Sequence, residues 1–425
     1  MKLSMNQKSI WLIILGLLYP ITLRVWGIVR VGEILAILLG FWTMAKYGHA
    51  YMKIKSFRIL IFLYCLCLAA ILISDWINQV DAVDAIKGFG SFAFLFPFFY
   101  VGMWLLSDDF SRIKYFVITC AIAQWLVFLF LPQFSYEASV FSEVEYVTIK
   151  DKLNLNEELF AYQYAPIVLV LLCLFYSKHK KLLSVLLLPI SLFFLFGGSR
   201  NLFLVYACAG VLLLMLFDIN SSNKVEKILR FRKRIIVVVL GMALLAGIVN
   251  FSYTYLAKNG FLGEAAQWKY EYQTQDGNIF IGGRPHFFIG AYAALKEPIW
   301  GYGSYAKDVD GITSEFARKY GLKFDYETSS HNLIPTHSHI IYYWVCNGIM
   351  TLPFWIFVIY NLVIFILRGN WAWCLSQSAY YLIASLSLLW AVFFSPYQNR
   401  LTFAFIIVAV VLMNTTGRLI EHNRK

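Results

Sequence analysis

Charge is what this sequence has least of. Asp, Glu, Lys and Arg make up 14% of its 425 residues, where a soluble domain carries roughly a quarter. That poverty excludes an ordinary soluble surface. Acidic residues are the scarcer sign, 24 against 36 Lys and Arg. In a soluble protein the resulting net charge of +12 would point to nucleic acid. Among long apolar runs it needs only the cytoplasmic excess of Lys and Arg that orients membrane proteins, so no nucleic-acid partner is expected. Apolar–polar alternation is missing as well, which excludes a transmembrane barrel. Cysteine is sparse. Cys65, Cys67, Cys120, Cys173 and Cys208 fall inside apolar stretches, and Cys346 and Cys374 flank the last loops. None stands in a long loop at disulfide or metal spacing, so they are expected to be small buried hydrophobes.

What is present is apolar residues, at 60% of the chain, with a mean hydropathy of +0.66. They gather into runs near the ~20 residues that cross a bilayer. The expected fold is all-α: a polytopic helical membrane protein with about twelve spans. These are 10–23, 31–46, 57–74, 88–107, 114–132, 161–177, 182–197, 201–218, 235–257, 338–367, 376–395 and 400–416. The first run continues into further spans, so it is expected to be an anchor rather than a cleaved signal.

Charge between the spans sets their direction. One set of connections carries Lys2 and Lys8; Lys46, Lys53, Lys55 and Arg58; Arg112 and Lys114; Lys178, Lys180 and Lys181. It continues with the basic run from Lys224 to Arg234, then Arg368, Arg418, Arg424 and Lys425. The alternate connections are poorer in cations, and two are acidic (Asp75, Asp81, Asp84; Glu137, Glu143, Glu145, Glu157, Glu158). The basic set is expected in the cytoplasm with both termini. Three parts follow: a nine-span bundle over 1–257, a large outer loop over 258–336, and a three-span segment over 337–425.

That loop is far longer than an ordinary connection, and it carries aromatics throughout, which predicts a folded, partly helical cap. Within it, Pro285 and the apolar spacing to Lys296 predict a short helix with Arg284 at its N-terminus. Gly301-Tyr302-Gly303 predicts a turn. Two outer-face cations stand out. Arg200 borders two apolar spans and Arg284 follows two glycines; each is either an interfacial residue snorkelling to headgroups or a planar fork for phosphate oxygens. His331, His337 and His339 offer a general base. Their spacing suits no zinc site, and no Cys or acid accompanies them, so no metal is expected. Asp308-Val309-Asp310 reads as a solvated turn. Trp268, Tyr270, Tyr272, Phe287 and Phe288 either stack on sugars or pack the cap.

His337-Ser338, nine residues, Gly348, two residues and Thr351 resemble the signature of the bacterial O-antigen ligase and O-antigen polymerase superfamily. FGGSRNLFLVY around Arg200 and GGRPHFFIGAYAALKEPIWGYGSYAK around Arg284 are similar to two further stretches of that family, in the same order. The likeness covers about 190–365. It implies a GT-C-like membrane protein of the bacterial inner membrane with a periplasmic active site. The implied activity is metal-independent, cofactor-free, inverting transfer of a glycan from undecaprenyl pyrophosphate to a sugar hydroxyl. By position, Arg200 and Arg284 would engage the donor pyrophosphate and His337 the acceptor, while Ser338 and Gly348 would shape the helix entry. The acceptor would be a growing glycan in a polymerase, to which the GGRP and PTHSH stretches lean, or lipid A-core in a ligase. A chain-length regulator is a candidate partner beside the bilayer itself. A transporter or flippase of lipid-linked glycan is the reading from another class. Its ionisable groups belong near the bilayer midplane, whereas here the few polar residues cluster at the outer face, with Glu33, near the start of the second span, the main exception. A metal-dependent oligosaccharyltransferase needs an acidic pair in its first outer loop, and residues 24–30 carry none.

Overall fold

The computed structural model describes residues 5–24, 28–131, 156–196, 199–217, 241, 247, 251–252, 254–261, 267, 270–271, 284–320, 332–373, 376–395 and 399–422. The chain is mostly helical. Helix α1 (Met5–Leu18) leads into an antiparallel ribbon of β1 (Thr22–Arg24) and β2 (Ile28–Arg30), with Thr22 opposite Arg30. There follow α2 (Val31–Met52), α3 (Lys55–Ile77), α4 (Ala82–Ala93), α5 (Leu95–Leu106), α6 (Ile113–Phe130), α7 (Asn156–Phe175), α8 (Lys180–Phe196) and α9 (Arg200–Phe217). Helices α10 (Pro285–Lys296) and α11 (Ile312–Tyr320) belong to the loop region, and α12 (His339–Asn347), α13 (Leu352–Leu367), α14 (Ser378–Phe394) and α15 (Arg400–His422) complete the chain.

Among the described residues, four helical stretches are long and apolar enough to cross a membrane: Lys55–Ile77, Ala82–Leu106, Phe110–Val127 and Ile349–Leu367. Other apolar helices are shorter, among them Gln7–Leu18, Asn201–Met215, Ser378–Phe394 and Arg400–Thr415. Of the twelve expected spans, the described residues show four at crossing length. Most of the expected span 235–257, the basic run 224–234, Cys374, Trp268, Tyr272 and His331 lie outside them. The outward faces are apolar, with Leu38 64% and Phe62 66% exposed, as a surface turned to lipid requires.

Contacts between distant residues define two ends of the bundle. At one end Lys8 pairs with Asp108 at 2.9 Å and Arg112 with the same carboxylate at 2.7 Å, joining the starts of α1 and α6 to the end of α5. Gln377 donates to the Cys173 carbonyl and Thr415 to Ser56. We call this the basic end, since Lys53, Lys55, Arg58 and Lys178–Lys181 fall there by connectivity. The other end carries the cap.

The cap has its own small core, built from Ile289, Ala293, Ile312, Phe316, Ile334, Ile341 and Val345. A strap over 298–304 locks it to the bundle. Tyr302 and Gly303 donate backbone N–H groups to the carbonyls of Val345 and Cys346 at 2.8 and 2.7 Å. On the α3 side, Ser74 donates to the Trp300 and Cys346 carbonyls, and Asp75 accepts from the Ser304 N–H and hydroxyl at 2.6 and 2.8 Å. The expected Gly301-Tyr302-Gly303 turn is there, with φ of +70° and +81° at its glycines.

The expected single span 338–367 is corrected to two helices. Helix α12 stops after nine residues, Gly348 turns the chain at φ +74° and ψ −178°, and α13 begins after a short 3-10 turn over Ile349–Thr351. That backbone region is essentially confined to glycine. A Cβ there would also lie 1.8 Å from the Ile299 carbonyl oxygen. The break is set by the strap pressing on the chain, a contact that continuous hydropathy cannot reveal.

Candidate active site at the cap end

Helix α10 begins as its sequence predicts. Arg284 occupies the N-cap and Pro285 the first helical position, where a missing N–H costs nothing. Arg284 is exposed at the helix's positive pole. Its Nη1 donates to the Phe394 carbonyl at 3.2 Å, and its guanidinium lies over the Trp390 and Phe394 rings at 5.2 and 5.5 Å. The end of α14 thus holds the fork in place and leaves it facing solvent.

Gly290 lets α10 approach the segment before α12. A Cβ there would lie 2.8 Å from the Thr336 side chain and 2.7 Å from that of Ile341. His337 sits between those two contacts. Its ring packs on that of His286, with centroids 4.2 Å apart and planes inclined at 56°. His337 opens to solvent on one side, but the protein packed around the rest holds its pKa below the ordinary 6.5, and the nearby Arg284 charge lowers it further. At pH 7 it is therefore neutral and able to accept a proton. His286 is more enclosed: burial first, and then the charge of His337, push its pKa down to about 4.

The flanking positions frame this pair. Ser338 is buried and caps α12, accepting from the Ile341 N–H at 3.3 Å while donating to the Val392 carbonyl at 3.0 Å. It ties α12 to α14 and leaves its neighbour His337 outside. His339 turns the other way and stacks on Trp355 at 5.4 Å, so it does not share a site with His337. Asp308 is a helix cap: its carboxylate accepts the Ile312 and Thr313 N–H groups at 2.6 and 3.0 Å. Phe287 and Phe288 pack against the cap core, and Phe287 also meets Phe394 at 5.8 Å; packing is what they do.

Of Arg200 the structure describes the backbone, which opens α9 after Ser199. Its end of the bundle follows from connectivity. Gln377, before α14, bonds to Cys173 near the end of α7, so α9 begins at the end of the bundle where α14 finishes at Phe394. Arg200 and Arg284 therefore begin helices at the same end. Glu33 is at that end too, 1% exposed, gripped through both carboxylate oxygens by Arg400 at 3.2 Å. Among the described residues no three His, Cys, Asp or Glu side chains converge as a metal site would need.

One residue that sequence reasoning passed over is His286. The only signal for it was its place two residues after Arg284 in the GGRPH stretch. A loop cation, a solvent-facing neutral imidazole and a second imidazole form a site suited to binding an anion and taking a proton beside it. Compared with protein-family models and with curated proteins, the chain matches none.

Proposed function

We propose that the chain is a membrane glycosyltransferase of the superfamily it resembles, working at the cap end on the periplasmic side of a bacterial inner membrane, with both termini cytoplasmic. The observation that carries this reading is the convergence of Arg284 and a neutral His337, far apart in sequence, on one solvent-facing site at the start of α10. Sidedness is supported by the gathering of Lys and Arg at the opposite end of the bundle. The lipid tail of the donor would lie along the apolar outer faces.

The donor is a glycan on undecaprenyl pyrophosphate, a leaving group that needs its charge compensated. Arg284 and Arg200 supply planar, permanently charged forks for it, so the reaction needs no metal or cofactor. The acceptor hydroxyl gives its proton to an imidazole nitrogen of His337 as its oxygen bonds to the anomeric carbon. The anomeric C–O bond to phosphate breaks on the opposite face, and the electron pair leaves with undecaprenyl pyrophosphate. The configuration inverts. Polymerisation of O-antigen or exopolysaccharide repeat units is the form proposed; ligation to lipid A-core shares the chemistry and differs in acceptor.

Arg284→Ala and Arg200→Ala should each slow transfer by about ten- to a hundredfold, the range of one lost charge-assisted hydrogen bond of ~1.5–3 kcal/mol. Lysine should restore only part, because a point charge cannot reproduce two parallel contacts. The assay is extension of a purified lipid-linked repeat unit, at matched protein levels. Product that lengthens with the repeat unit alone identifies a polymerase, and product that forms only on added lipid A-core identifies a ligase. Undiminished rates in both alanine variants would return the arginines to a headgroup role.

A further inference from the structure

The His286–His337 contact joins the first turn of α10 to the residue before the Ser338 cap. Two imidazole rings at 4.2 Å share surface that water would otherwise occupy. His286 is held firmly: Pro285 fixes the chain before it, and Ile289 and Gly290, one turn on, are buried against the cap core and the Thr336 segment. His337 lies instead in an extended segment, tied down on either side by the Ile334 N–H to Ala306 carbonyl bond at 2.9 Å and by the Ser338 cap. A side chain on a rigid helix therefore backs one on a strand-like segment. This is the arrangement needed to hold a reactive group in one direction.

We propose that His286 is the positioning residue for His337: its ring covers one face of the His337 imidazole, excludes water from that face and sets where its nitrogens point. The proposal rests on the transferase reading for its consequence, and on geometry alone for the contact. Other groups near the pair are few among the described residues. Arg284 is the nearby cation on α10. His339 follows on α12 but turns onto Trp355, and the end of α14 contributes Trp390, Val392 and Phe394, none of them charged. Desolvation by His286 favours the uncharged form of His337. The start of a helix, with its positive pole, disfavours a proton on either ring. A large apolar ring at 286 would keep the cover, and a methyl group would not.

The test compares His286→Phe and His286→Ala in full-length protein, with size-exclusion profiles checked for each. The first readout needs no substrate: carbethoxylation of His337 by diethyl pyrocarbonate, followed by mass spectrometry of its peptide across pH. Only the neutral imidazole reacts, so the midpoint reports its protonation. In the wild type it should lie below 6.5. In His286→Ala it should rise towards 6.5, and in His286→Phe it should stay with the wild type. The second readout is the pH profile of glycan transfer, whose acid limb should move up in the alanine variant and hold in the phenylalanine one. A midpoint unchanged in His286→Ala, or shifted equally in both variants, overturns the positioning role. Absence of transfer by the wild type would fault the transferase reading instead, and leave the carbethoxylation result standing by itself.

Discussion

His337→Ala is expected to slow glycan transfer by about 10²–10⁴-fold, the usual contribution of a positioned base, while donor binding persists. The charge of the donor is held by the arginines, and the imidazole acts only on the acceptor. The ring's lowered pKa sets the pH dependence. A group that must be neutral to act fails as pH falls through its pKa, so the acid limb of the wild-type profile should lie below 6.5 and disappear in the alanine variant. His339→Ala probes stability instead, because that ring is stacked on Trp355 within the bundle. His339→Gln at normal yield should leave turnover largely intact. Near wild-type transfer by His337→Ala would mean the base is elsewhere.

The second large effect is on folding. Gly348→Ala should sharply reduce the yield and thermal stability of the detergent-solubilised protein. The glycine's backbone conformation alone costs another residue ~1–3 kcal/mol. The added Cβ would also meet the Ile299 carbonyl at 1.8 Å, and backbone cannot swing aside as a flexible side chain can. Relief requires the strap over 298–304 to lift from α12, which would break the Ile349–Pro298 hydrogen bond at 2.9 Å and loosen the Tyr302 and Gly303 pairs. Gly90→Ala is the control, because a Cβ there meets nothing within 4 Å and alanine favours the helix. Equal melting temperatures for the two variants would show that the strap does not depend on Gly348.

Local features were readable from sequence where local chemistry decides them. Pro285 after Arg284 placed the start of α10, and the glycines at 301 and 303 marked the turn. Features made by distant residues were not readable. Glu33 was visible as a lone carboxylate in an apolar run, but its partner Arg400 comes from the last helix. His286 carried no signal beyond its place in the GGRPH stretch, because its partner His337 comes from the segment before α12. The run 338–367 stayed apolar through Gly348, so hydropathy averaged across a break that the strap imposes from outside. Among the described residues, several apolar runs form helices shorter than a straight crossing, such as α14 and the apolar part of α15, a length that packing and not hydropathy decides.

The central claim is that this protein forms a glycosidic bond from a lipid pyrophosphate donor. The most direct measurement incubates purified wild-type protein in liposomes with an undecaprenyl-pyrophosphate oligosaccharide and quantifies both products by mass spectrometry. The account predicts one undecaprenyl pyrophosphate released for each new sugar–sugar bond, with inverted configuration at the donor's anomeric carbon and undiminished rate in the presence of a chelator. Donor that crosses the bilayer intact, with no new bond formed, would contradict it and leave a transporter.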